Sequence, residues 1–177
     1  MNTWDERFTP SYTPEEMLRL GVFEGKYINA IKGNPQIPKS WFKIPKVLRV
    51  SEQPDPAINK FKVKSRLSLS EWKKNKWITE ASPNGWFEWY IKYFLGKRLP
   101  EEDDMQIKRW ISFCARHQGQ ITKSGDISNL EKRAKQRQGL LQWGWDSTKE
   151  FTELQRDANL KKLVKENPSK VKIGPKK

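Results

Sequence analysis

The run from Trp86 to Arg98, Trp-Phe-Glu-Trp-Tyr-Ile-Lys-Tyr-Phe-Leu-Gly-Lys-Arg, constrains the fold more than any other stretch of the chain. It puts two tryptophans, two tyrosines and two phenylalanines within nine residues and then ends in Gly-Lys-Arg. Rings this dense form either the centre of a core or a stacking surface edged with cations. At 100° per residue Trp86, Trp89, Tyr90 and Tyr93 share one helical face, while Phe87, Ile91 and Phe94 share another. A helix apolar on most sides is the central helix of its domain. Stacking would instead require Trp86, Trp89 or Tyr93 to reach solvent beside Lys92, Lys97 or Arg98. Both readings are open at this point.

Hydrophobic residues make up only 35% of the 177, yet nine are tryptophan. Large rings each bury much apolar area, so they replace a greater number of aliphatics and the body of the chain is expected to fold as one domain. The expectation is a mainly α compact domain that is aromatic-rich, with an irregular proline-rich N-terminal third and a basic C-terminal tail. Its parts are an arm over residues 1–12, a helical domain over 13–150, a helix over 151–166 and a disordered basic tail over 167–177.

Local signals place the elements. Thr13-Pro14-Glu15-Glu16 opens a helix with a capping box, and Gly21 interrupts it. Helical spacing over Val22–Ile31 predicts that it resumes. Prolines at 35, 38, 45, 54 and 56 exclude long helices from the next segment, where Trp41, Phe42 and Ile44 are expected to pin the connector to the body. Residues 61–67 read as a short extended piece. Ser68-Leu69-Ser70-Glu71 is a second capping box. The aromatic helix is expected over 86–95, ended by a left-handed Gly96. The next helix is expected over 101–117, with Glu101 to Asp104 at its positive end and Ile107, Trp110, Ile111 and Cys114 on one face. A loop over 119–126, a helix over 128–147 capped by Ser128 and a helix over 149–165 complete the reading.

Charge directs the functional reading. The formal net charge is +14. Nine cations face seven acids over residues 1–60, twelve face seven over 61–120 and fourteen face seven over 121–177. Such a field draws polyanions, with DNA or RNA foremost. The candidate nucleic-acid contacts are Lys97 and Arg98 at the glycine corner, Lys108 and Arg109 on the following helix, and Lys132, Arg133, Lys135, Arg137 and Gln138 further on. Arg98 also lies close in sequence to Glu101–Asp104 and could be spent on an internal ion pair. Trp89, Tyr93, Asp104 and Trp110 are a candidate pocket. An enzyme acting on nucleic acid or nucleotides would centre near it, on Arg98, Asp104, Arg109 and Trp110. A protein-interaction or assembly subunit, such as part of a viral particle or an inhibitor of a host machine, would dock through the arm or the tail.

Other classes are disfavoured. A single cysteine, Cys114, forbids an internal disulfide, and with a single histidine, His117, it forbids a Cys/His zinc cluster. No phosphate-binding glycine loop and no metalloprotease motif occurs, so no catalytic residue, metal or cofactor is expected. His117 reads as an ordinary histidine at a helix end, and Cys114 as buried and inert. No signal peptide and no apolar run of membrane length is read in the sequence, so no membrane partner is expected and the expected compartment is the cytoplasm, or the nucleus in a nucleated host.

Trp86-Phe87-x-Trp89-Tyr90, Gly96-Lys97-Arg98, Asp104-x-Gln106-Ile107-x-Arg109-Trp110 and Arg137-Gln138-x-Leu140-Leu141-x-Trp143 together resemble an uncharacterised family of small viral, bacterial and plant proteins. The similarity runs from about Met17 to Lys149. It implies no activity, only that residues 13–150 form the domain and that the tail is an addition.

Overall fold

The computed structural model describes residues 3–25, 36–45, 53–65 and 67–151. They are helical and irregular, with no strand among the described residues. The α-helices are α1 (Pro14–Arg19), α2 (Leu69–Lys74), α3 (Trp86–Phe94), α4 (Pro100–Thr122) and α5 (Ala134–Gln142), and residues 147–151 begin a further helical stretch. Short 3-10 turns occur at Lys39–Lys43 and Pro56–Ile58.

Both capping boxes form. Thr13 Oγ1 accepts from the Glu16 amide while the Glu16 carboxylate takes the Thr13 amide, and Ser68 and Glu71 repeat the exchange at α2. Gly96 is left-handed at φ 97° and closes α3. α3 is buried at seven of its nine positions, which makes it the central helix and decides the first question about the aromatic run. It packs against α1 and α4, and α4 against α5. Trp41 and Ile44 are buried, with Phe42 packed beside them, so the connector is pinned as expected.

Four elements differ from expectation. α4 does not stop near residue 117 but runs to Thr122, because Gln118–Thr122 contains no breaker beyond a tolerated Gly119 and its Ile121 is buried in the core. The helix expected from Ser128 starts only at Ala134 and ends at Gln142. Arg133 stands in the left-handed region at φ 59°, and Ser128 hydrogen-bonds Asp126 instead of capping. Residues 21–25 form turns, with Gly21 and Glu24 at positive φ, so the helix does not resume there. Residues 61–65 are not a strand, since Lys62 is left-handed and no partner strand exists among the described residues. The rest of the 22–31 helix, the 149–165 helix beyond Phe151 and the 167–177 tail lie outside the described residues.

The largest departure is the N-terminal arm, which is built into the core. Phe8 is 0% exposed. Its ring lies 5.0–6.0 Å from the rings of Trp86, Trp89, Tyr90, Tyr93 and Trp110, and stacks with Trp4 at 5.4 Å. The backbone around it is tied down along its length. The Asp5 amide donates to Tyr93 Oη at 2.8 Å, the Ser11 amide to the Gly144 carbonyl at 2.6 Å, and Tyr90 Oη to the Tyr12 carbonyl at 2.8 Å. Gly144 is left-handed at φ 74°, and a Cβ there would stand 3.3 Å from Pro10 Cβ, so the close approach of arm to body requires glycine.

Asp146 anchors the same junction from within. It is 1% exposed and accepts from Tyr12 Oη at 2.5 Å, Lys60 Nζ at 3.1 Å and Thr148 Oγ1 at 2.7 Å. Burial alone would raise its pKa, but the hydrogen bonds from Tyr12, Thr148 and Lys60 outweigh it and hold the carboxyl below the ordinary 3.8. A carboxylate lowered on folding stabilises the native state above its unfolded pKa and loses that contribution as pH falls. Asp146→Asn is therefore expected to lower stability at pH 7 by about 1–3 kcal/mol and to flatten its decline below about pH 4. Urea titrations from pH 3 to 7 check both, and a variant with an unaltered acid limb would contradict the assignment.

Candidate nucleic-acid interface

Nine residues were expected to meet nucleic acid, and the fold sorts them into three groups. Arg137 and Gln138 are both 0% exposed and cannot contact a polyanion; this corrects the sequence reading. The reason is geometric. α5 lies on α4 with positions 137–142 buried, so its basic-looking middle faces inward. The Arg137 guanidinium is consumed by backbone. Nε donates to Lys132 O at 2.9 Å, Nη2 to Ile127 O at 2.8 Å and Asn129 O at 3.3 Å, and Nη1 to Ser147 Oγ at 3.2 Å. Desolvation pushes its pKa down, opposed by the charge of Asp126. Gln138 Nε2 donates to Val22 O at 3.1 Å, which ties α5 to the turn after α1.

Lys132, Arg133 and Lys135 form the second group. They are exposed and take part in no ion pair among the described residues. Arg137 shapes the loop that carries the first two by gathering the carbonyls of residues 127, 129 and 132 around one guanidinium. Ser65 Oγ donates to Lys135 O at 2.7 Å and so lays the 62–65 segment beside the start of α5. Lys62 and Lys64 on that segment are exposed and equally without an ion pair among the described residues. Arg116, exposed on α4, belongs to the same neighbourhood, because Gly139 brings α5 against Ser65, Phe113 and His117. The acids nearby are few. Glu131 is exposed, Asp126 is engaged by Ser128 and Asn129, and Glu71 by its cap. Lys62, Lys64 and Arg116 were missed in sequence; the alternation Lys62-x-Lys64 was their only signal.

The glycine corner and the start of α4 form the third group. Lys97 is exposed with no ion pair among the described residues, but Arg98 is spent within the fold. Its Nη1 donates to Tyr93 O at 2.6 Å and Lys97 O at 2.9 Å, its Nε donates to Thr3 O at 3.1 Å, and its guanidinium lies 3.8 Å from the Tyr93 ring centroid. Arg98 thus caps α3 and clasps the arm, and the alternative pairing with Glu101–Asp104 does not occur. Lys108 is exposed but pairs with Asp104 at 2.7 Å. Arg109 is half-buried, with Nη1 donating to Trp77 O at 2.9 Å and Gln106 Oε1 at 3.1 Å; desolvation lowers its pKa against the opposing charge of Glu102.

Of the residues expected to line a pocket, Trp89, Tyr93 and Trp110 lie inside the core and Asp104 lies apart from them at the surface. The three aromatics are buried in the core, and Trp89 Nε1 and Trp110 Nε1 donate to Asp103 Oδ1 and Trp143 O at 2.8 Å each. Asp104 lies at the surface, where hydrogen bonds from Lys108 and then Arg7 hold its carboxyl below the ordinary range. Aromatic spacing identified core residues and could not tell which of them enclosed space.

His117 sits within α4, not at its end. Its ring stacks on Phe113 at 3.9 Å, Phe113 on Trp143 at 4.5 Å, and Trp143 on Trp86 at 4.8 Å. Burial lowers its pKa, against a hydrogen bond to the Phe113 carbonyl that raises it. Among the described residues no three His, Cys, Asp or Glu side chains group as metal ligands, and no helix is long and apolar enough to cross a membrane.

No protein-family model, curated protein or solved structure matches the chain. The motif residues that carry the family resemblance are mostly interior. Trp86, Phe87, Trp89, Tyr90, Ile107, Trp110, Arg137, Gln138, Leu140, Leu141 and Trp143 are all buried, so that pattern describes how the chain folds, with Lys97, Asp104 and Arg109 its more accessible members.

Proposed function

We propose that the chain binds nucleic acid electrostatically and with weak sequence specificity, through Lys132, Arg133 and Lys135 together with Lys62, Lys64 and Arg116. The observation that carries this reading is the presence, beside the α4–α5 contact, of exposed cations from three separate segments that form no ion pair among the described residues. Cations spent on internal partners contribute little to a ligand. Cations left unpaired next to one another repel and gain most from a polyanion that releases its counterions. Exposed Lys and Arg heads reach phosphates, and phosphate contacts carry no sequence information.

Fluorescence anisotropy with labelled single-stranded DNA, duplex DNA and RNA tests it. Engagement of four or five phosphates is expected to weaken affinity roughly 10²–10³-fold between 50 and 200 mM salt. Absence of binding to all three probes at 50 mM, or an affinity indifferent to salt, would overturn the reading. The location consistent with such a partner is the cytoplasm, or the nucleus of a nucleated host.

A further inference from the structure

A cavity of about 410 Å3 opens between the arm and the helices α1 and α3. Trp4, Phe8, Tyr12, Tyr90 and Phe94 line it, together with the acidic residues Glu6 and Glu16. Trp4 and Phe94 are 41% and 39% exposed, unusual for rings in a chain that buries most of its aromatics. The polar atoms of the other rings are already committed. Tyr12 Oη donates to Asp146, Tyr90 Oη to Tyr12 O, and Trp4 Nε1 to Phe8 O at 2.7 Å. What the cavity still offers is π-surface and negative charge. Glu6 has no hydrogen-bond or ion-pair partner among the described residues, and Glu16 gives only Oε2 to its capping box.

That combination selects one chemistry. A neutral apolar ligand would leave two carboxylates unused, and an anion would be repelled. A flat cation can lie against ring faces while a carboxylate accepts its N–H groups. Tyr12 already serves a cation, since Lys149 Nζ stands 5.7 Å from its ring centroid. We propose that this cavity binds the arginine side chain of a partner polypeptide. The guanidinium would stack against Trp4 or Phe94 and pair with Glu6 or Glu16, and the arginine stem would cover apolar surface. Arginine suits the site better than lysine because its planar head stacks and hydrogen-bonds at once. This site is separate from the cationic face and does not rest on it.

The test is a titration of the full chain with the capped peptide Gly-Gly-Arg-Gly-Gly, followed by the Trp4 indole N–H resonance in two-dimensional NMR. The expected result is a saturable shift of that resonance, with the citrulline counterpart at least fivefold weaker because it keeps shape and loses charge. Trp4→Ala, followed instead through the backbone amide resonances of the arm and α3, should show no saturable shift. Glu6→Gln combined with Glu16→Gln should weaken binding at least fivefold while α1 stays formed, since glutamine also completes a capping box. Equal binding of arginine and citrulline peptides, or undiminished binding by the glutamine variant, would overturn the proposal. So would shifts confined to resonances away from the arm and α3.

Discussion

Phe8→Ala is expected to destabilise the domain by about 3–5 kcal/mol, the range for emptying a fully buried aromatic site. The ring is enclosed by Trp4, Trp86, Trp89, Tyr90, Tyr93 and Trp110, and no flexible aliphatic stands among these ring neighbours to fill the void. Large fused rings held by their own hydrogen bonds, such as Trp89 on Asp103 and Trp110 on Trp143 O, relax little around a cavity. Deleting residues 3–12 should act more strongly still. It removes Phe8 and leaves Tyr93 Oη, Arg98 Nε and the Gly144 carbonyl without their arm partners. Guanidinium titrations with tryptophan fluorescence measure both. A Phe8→Ala loss under 1 kcal/mol, or a truncated chain as stable as the full one, would show the arm to be an accessory.

The second large effect is expected at Arg137. Replacing it with methionine should cost about 3–5 kcal/mol, because three partly buried carbonyls and the buried Ser147 hydroxyl lose a charged donor together, at about 1–3 kcal/mol for each group left unsatisfied. Arg137→Lys discriminates between a structural and a ligand-binding role. A phosphate contact tolerates lysine as a cation, whereas a bracket over four acceptors needs the planar fork. Lysine is therefore expected to restore less than half of the stability lost in the methionine variant. Hydrogen exchange should show faster opening of residues 127–133 in both variants. A lysine variant with wild-type stability and slow exchange in that loop would contradict the bracket.

Some of this was legible in the sequence. The two capping boxes and Gly96 are local devices whose meaning does not depend on the rest of the fold, and all three formed as read. The aromatic density of Trp86–Phe94 marked the central helix because a segment apolar on most sides has to be covered on most sides. Phe8 was not legible as core. The arm spaces Trp4, Phe8 and Tyr12 four residues apart but is not helical, so that spacing marks no buried face, and the burial of Phe8 depends on the hollow that α3 and α4 create. Arg137 misled for a related reason. Its acceptors are loop carbonyls, which every residue carries and no sequence pattern advertises. The left-handed Arg133 hid the true start of α5 in the same way, since nothing short of the folded loop requires that conformation there.

The cationic face was half legible. Lys132, Arg133 and Lys135 could be read from their run, but Lys62, Lys64 and Arg116 reach them only through the Ser65–Lys135 hydrogen bond and the α4–α5 contact at Gly139. Local charge density located candidates, and the fold decided which were already spent. Arg98, Arg109 and Arg137 are arginines whose donors are occupied largely by carbonyls, whereas Arg116 and Arg133 are exposed like the lysines of the proposed face.

The most direct measurement is the salt dependence of nucleic-acid affinity for the native chain and for a variant carrying Lys132→Gln, Arg133→Gln and Lys135→Gln. All three side chains are exposed and form no ion pair among the described residues, so the variant should fold with native stability. The slope of log affinity against log salt is expected to shrink by about two to three, in proportion to the phosphate contacts removed, with affinity at 50 mM salt falling at least tenfold. An unchanged slope and an unchanged affinity in a folded variant would contradict the assignment of this face to nucleic acid.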